Sequence, residues 1–118
     1  MACKFNELVI DSVHPDRIAR WWADVLDYKI TDEDETGVEL TGPPGSGPTL
    51  VFLRVPEAKS IKNRLHIDVS PTDRSQEAEL ARLYELGAQR ADVGQGNEVG
   101  WVVLCDPEGN EFCLLGGH

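Results

Sequence analysis

This chain predicts an α+β fold in which one supersecondary unit is written twice. Three observations carry that expectation. First, Leu8-Val9-Ile10-Asp11 is followed by Asp16-Arg17, and Leu65-His66-Ile67-Asp68 is followed at the same spacing by Asp73-Arg74. Second, each of these apolar runs leads through a turn into a striped helix and then three short strands, giving β-α-β-β-β with a period of about 60 residues. Third, one helix and four strands are too little to close a core alone. The two modules are therefore expected to join as an eight-stranded mixed sheet curled into a cup, with the helices on its outer face.

The elements follow in order. The first strand alternates, so Leu8 and Ile10 face the helices while Glu7, Val9 and Asp11 face the cup. A helix over 16–27 is predicted by Ile18, Trp22, Val25 and Leu26 on one stripe. Strands are expected at 29–32, 38–41 and 49–55. In the last of these Leu50 and Phe52 point out, and Val51, Leu53 and Val55 point in. Gly42 to Pro48 is a loop by composition, and residues 56–63 link the halves. The second module opens with a strand over 63–68, where His66 and Asp68 face opposite to Leu65, Ile67 and the following Val69. A helix over 74–86 carries Ala78, Leu80, Leu83, Tyr84 and Leu86, with Gly87 as its stop. Strands at 89–93, 100–105 and 111–115 follow, the first two separated by Gly94-Gln95-Gly96. In the closing hairpin, Pro107 fixes φ and Gly109 accepts positive φ, so Asp106-Pro107-Glu108-Gly109-Asn110 reverses the chain. Its last strand sends Phe112 and Leu114 to the core, and Glu111 and Cys113 to the cup. Residues 1–118 are expected to form a single domain with modules at about 5–55 and 64–115. The repeat can be aligned with Val9 against His66, from the identities, or with Glu7 against His66, from the helix ends. Both keep the same facing.

A chain of 118 residues can bury one modest core. The formal charge of −10 argues against nucleic acid or an anionic membrane as partner, since both need basic patches. It is compatible with a cationic or neutral small ligand. No run approaches a membrane span, and the N-terminus has no apolar signal segment, so a cytoplasmic location is expected. Cys3, Cys105 and Cys113 are an odd number of thiols, expected to stay reduced there.

The doubled unit, the strand around Leu65-His66-Ile67-Asp68 and the Asp106-Pro107-Glu108-Gly109-Asn110 turn resemble the vicinal oxygen chelate superfamily. More narrowly, the chain resembles its glyoxalase-like and bleomycin-resistance-like members. The resemblance covers about residues 5–115. It implies the cup fold, a small-molecule ligand and frequent homodimers. The superfamily holds isomerases, lyases, dioxygenases, epimerases and thiol transferases, and also drug binders without catalysis.

The resemblance also places metal-ligand positions at Glu7, Leu53, His66 and Cys113, one from each of four strands. Glu7, His66 and Cys113 can each ligate a divalent ion; Leu53 cannot. In metal-using relatives the ion is left with open positions for two vicinal substrate oxygens and stabilises an enediolate or similar anion. The incomplete set argues against ordinary glyoxalase I activity. One zinc, nickel or manganese ion is implied, with a metal-free protein as the alternative. A thiolate favours zinc over magnesium or manganese.

Each residue also has a plainer role. His66 is a ligand or base, or a cleft histidine bonded to Asp68 or Glu7. Glu7 is a ligand or general base, or a solvated strand-end carboxylate. Cys113 is a thiolate, or a small buried hydrophobe. Asp11 and Asp68 hold a ligand amine, cap turns, or pair with Arg17 and Arg74. The expected pocket comprises Val9, Asp11, Val51, Leu53, Asp68, Trp101, Glu111 and Cys113. Trp22 belongs to the core, Trp21 to a half-buried scaffold, and the facing of Trp101 depends on the hairpin register. Lys59, Lys62 and Arg64 are a solvated cluster or a grip for an anionic group. Two functions follow: a metal-assisted lyase or isomerase with Glu7 and His66 as catalytic candidates, or a protein that sequesters a drug or metabolite. Metal-free acid-base catalysis by Glu7 and His66 is a third.

Overall fold

The computed structural model describes residues 1–91 and 100–116. The chain divides into two compact units, Met1–Ala58 and Lys59–His118. In the first, strands β1 (Glu7–Ser12), β2 (Lys29–Asp34), β3 (Gly37–Thr41) and β4 (Thr49–Arg54) form a sheet in the order β1-β4-β3-β2. In the second, β5 (Ile67–Val69), β6 (Gln89–Arg90), β7 (Trp101–Cys105) and β8 (Glu111–Leu115) form a sheet in the order β5-β8-β7-β6. One helix belongs to each unit, α1 (Pro15–Leu26) and α2 (Gln76–Leu86). In both sheets the opening strand pairs parallel with the closing one, and the remaining neighbours are antiparallel. The expected repeat of β-α-β-β-β is therefore present in element order and in pairing.

Helix α1 starts at Pro15, whose fixed φ suits the first helical turn. It ends at Asp27, which takes the left-handed conformation at φ 56°. Ile18, Ala19, Trp21, Trp22 and Val25 are buried, as are Val38, Leu40, Leu50 and Phe52 on the facing strands. Trp21 is thus a core residue rather than a half-buried one; its ring meets that of Trp22 edge-on at 5.1 Å. Strand β2 runs two residues further than its polar sequence suggests. The Asp34 carboxylate accepts hydrogen bonds from Thr36 N–H at 2.8 Å, Thr36 Oγ1 at 2.6 Å and Gly37 N–H at 3.2 Å, closing a tight hairpin to β3. These bonds hold its carboxyl below the usual range, the Thr36 hydroxyl foremost.

Gly37 is fixed by close approach: a Cβ there would collide with the Phe52 carbonyl oxygen. Gly37→Ala is expected to destabilise the protein by about 1–3 kcal/mol, the usual cost of forcing a backbone shift. An unchanged urea midpoint would refute that.

Helix α2 begins at Gln76 rather than at 74 because Ser75 caps it, its hydroxyl accepting from Ala78 N–H at 3.1 Å. It ends at Gly87, φ 114°. Of its expected apolar stripe only Leu83 is buried. The core of this unit is completed by Leu104, Phe112 and Leu114. Strand β5 is shorter than the expected 63–68. Only Ile67, Asp68 and Val69 find ladder partners, in Phe112, Cys113 and Leu114. Leu65 lies outside the strand and is 77 % exposed, so it does not face the core as its parity implied. Strand β6 is described at Gln89–Arg90; Asp92 and Val93, and the Gly94-Gln95-Gly96 loop, lie outside the described residues.

In the closing turn Asp106 is buried and accepts from Glu108 N–H, Asn110 N–H and Asn110 Nδ2 at 2.9–3.0 Å. Gly109 takes the expected positive φ, 86°. No helix of the described residues is long and apolar enough to cross a membrane.

Candidate site on the second sheet

The ladders determine which side chains share a face. In the first unit Glu7, Val9 and Asp11 of β1 stand opposite Thr49, Val51 and Leu53 of β4. They lie on the face away from α1, whose own face carries Leu50 and Phe52. Glu7, Val9, Asp11 and Leu53 are all exposed, Leu53 by 38 %. In the second unit Asp68 pairs with Cys113, which pairs with Val103. Cys105 pairs with Glu111, and Trp101 with Leu115. Alternation then puts Trp101, Val103, Cys105, Glu111, Cys113 and Asp68 on one face, opposite Leu104, Phe112 and Leu114. This fixes the facing of Trp101, which is 40 % exposed and shares the face of Cys113.

Followed from the helix ends, the ladders relate the two units residue by residue. Lys29 pairs with Thr41 and Gln89 with Cys105. Glu39 pairs with Val51 and Val103 with Cys113. Val9 pairs with Val51 and Asp68 with Cys113. Aligning the helix ends at Leu26 and Leu86 therefore carries Val51 onto Cys113, Val9 onto Asp68 and Glu7 onto His66. The helix-end alignment holds along every ladder. The first-unit counterpart of Cys113 is Val51, two residues before Leu53 and on the same face.

Three potential donors of the second unit converge. His66 precedes β5 by one residue, and its Nε2 lies 3.1 Å from an Asp68 carboxylate oxygen, both side chains being half-exposed. The donor atoms of His66, Asp68 and Cys113 all lie within 4.8 Å of one another. Burial pushes the Cys113 thiol up, and the Asp68 carboxylate raises it further by its charge and by accepting the S–H; Lys62 opposes them. Asp68 thus pairs with His66, and Arg74 pairs instead with Asp73 at 3.3 Å and Glu79 at 3.7 Å. An imidazole nitrogen, a carboxylate oxygen and a sulfur are a donor set that suits zinc.

Glu111 on the same face is committed elsewhere. Its carboxylate accepts from Lys59 Nζ at 3.1 Å and from Asn63 N–H at 2.9 Å. Burial pushes its carboxyl up, but those two donors outweigh burial and hold it below the usual range. The pair is mostly shielded, Lys59 being 20 % and Glu111 13 % exposed at the side chain. Lys59 is therefore not part of a solvated basic cluster. Beside it, burial first and then the Glu111 charge raise the Cys105 thiol. Cys105 faces Glu111 rather than Cys113, and all three cysteines are free.

Lys59→Met strands a shielded carboxylate and is expected to cost about 2 kcal/mol at neutral pH. A depressed carboxyl stabilises above its unfolded pKa, and that contribution is lost as pH falls through the folded value. The wild-type advantage over Lys59→Met should therefore shrink in acid. An equal difference in urea midpoint from pH 7 down to pH ~3 would contradict this role for Glu111.

The sequence pattern of the glyoxalase-like domain family matches residues 7–115. Among solved structures, the chain is similar to the fosfomycin resistance protein FosX of Mesorhizobium loti, with TM-score 0.73, 15 % identity, and coverage of 100 % of this chain and 95 % of that one. It is also similar to a FosX variant of Listeria monocytogenes complexed with Mn(II) and 1S,2S-dihydroxypropylphosphonic acid, with TM-score 0.73, 10 % identity, and coverage of 100 % and 93 %. A glyoxalase/bleomycin resistance protein/dioxygenase family enzyme of Burkholderia phytofirmans PsJN gives TM-score 0.69, 17 % identity, and coverage of 95 % and 97 %. No curated protein sequence matches. The chain belongs to the glyoxalase-like domain family, within the vicinal oxygen chelate superfamily.

Proposed function

We propose that this protein binds a small organic molecule bearing neighbouring oxygens and acts on it with the help of one divalent ion, as a lyase or isomerase. The observation that carries this reading is the convergence of His66, Asp68 and Cys113. The family resemblance gives His66 and Cys113, with Glu7, as ligand positions. A bound ion supplies Lewis acidity toward the ligand's oxygens. The chain's own residues do the rest. Asp68 holds its carboxylate 3.1 Å from the His66 imidazole. Trp101 offers an exposed ring on the same face for an apolar or planar part of the ligand. The Lys59 partnership fixes Glu111, so Glu111 shapes the site rather than serving as a free base. With His66 engaged on the ion, Glu7 is left as the candidate for moving a proton.

Zinc is the first choice of ion, then nickel, then manganese, because Cys113 supplies sulfur where a manganese site has only harder donors. The test is a thermal-shift screen of vicinal-oxygen compounds with and without added zinc. Stabilisation that requires zinc supports the reading; stabilisation unaffected by a chelator refutes the metal-assisted part.

A second reading, a sequestering protein without catalysis, is favoured by one observation. The first unit's face carries Val9, Val51 and Leu53, all aliphatic, where a fully metal-binding counterpart needs a donor. It expects tight ligand binding indifferent to chelators. In either reading residues 1–118 work as one domain, cytoplasmic and homodimeric. Sedimentation at micromolar concentration checks the dimer.

A further inference from the structure

We propose that the second unit alone supplies the protein ligands of a zinc-class ion, through His66, Asp68 and Cys113, with Glu7 outside the set. This rests on the metal-assisted reading and narrows it to one unit and one kind of ion. Asp68 is the new member.

Two features build the site. Asp68 and Cys113 are ladder partners on neighbouring strands, so their separation is set by backbone pairing rather than by loop geometry. His66 stands two residues before Asp68 and already contacts its carboxylate. The three donor atoms lie within 4.8 Å of one another. Ligand atoms about a tetrahedral zinc stand roughly 3.3–3.8 Å apart, given bonds of ~2.0–2.3 Å. Small side-chain adjustments close the triangle.

The repeat supplies the contrast. The residues that take the places of His66, Asp68 and Cys113 in the first unit are Glu7, Val9 and Val51. One donor remains there, against three in the second unit. Three protein ligands of mixed N, O and S character, with a position left for ligand or water, are the composition of an open zinc site. The thiolate selects against manganese and magnesium.

The experiment is titration of the full-length protein with Co(II) and Zn(II), before and after substitution. Co(II) reports a bound thiolate directly through a sulfur-to-metal charge-transfer band. Wild type should develop that band and saturate near about one equivalent. Cys113→Ser should lose the band, with Cys113→Ala as a second variant if the first misfolds by circular dichroism. Asp68→Asn, at an exposed residue, should weaken zinc binding by more than about a hundredfold, beyond the roughly 10–100-fold that losing an outer partner costs, and Glu7→Gln should change it less than about twofold. If Glu7→Gln abolishes binding and Asp68→Asn does not, this proposal is overturned while the metal-assisted reading stands. If folded wild type takes up neither ion, both fail.

Discussion

Phe52→Ala is expected to cost about 3–5 kcal/mol of folding free energy. Phe52 is fully buried in the middle of β4, between Ile10 of β1 and Val38 of β3. Its face is the one α1 covers with Ile18, Trp22 and Val25. Truncation removes most of the ring from a closed layer whose backbone is held by ladders on both sides, so the cavity cannot collapse. Domains of this size hold only about 5–15 kcal/mol in total, so the variant should be partly unfolded at physiological temperature. Leu53→Ala, one residue on and facing away from α1, serves as the control and should cost less than about 1 kcal/mol. Similar urea midpoints for the two variants would contradict the facing assigned to β4.

Cys113→Ser should weaken zinc binding by about a hundredfold or more, because a neutral hydroxyl replaces the softest and most strongly bound donor. The wild-type affinity should also depend on pH in a definite direction. Burial and the Asp68 charge hold the thiol protonated at neutral pH. Binding must expel that proton, so affinity rises with pH, by up to about tenfold per unit, until the thiol ionises unaided. Cys113→Ser should show a flatter profile. Isothermal titration at several pH values checks both. Equal pH slopes for variant and wild type would exclude Cys113 as a ligand.

The facing of side chains was legible in the sequence because strand parity survives small errors in strand ends. Leu50, Phe52, Phe112 and Leu114 are buried as their alternation implied. The helices matched to within two residues, and the misses were capping effects at Pro15 and Ser75. What sequence could not supply was register and distant pairing. The alignment of Glu7 with His66, the equivalence of Val51 rather than Leu53 to Cys113, and the facing of Trp101 all needed the ladders. The bonds from Lys59 and Asn63 to Glu111 join residues 52 and 48 positions apart, with no local signal. Leu65 marks the limit of parity: an apolar residue beside a strand need not belong to it, and Leu65 lies outside β5 and is exposed. Asp68 was within reach: its spacing from His66 put both on one face, and only the pairing with Cys113 was missing.

The most direct measurement is the ion content of protein purified without a histidine tag and dialysed against zinc. The predicted result is about one zinc per chain, absent from a folded His66→Ala variant. A folded wild-type protein that retains no zinc after loading would contradict it, and would leave the metal-free readings, ligand sequestration first among them.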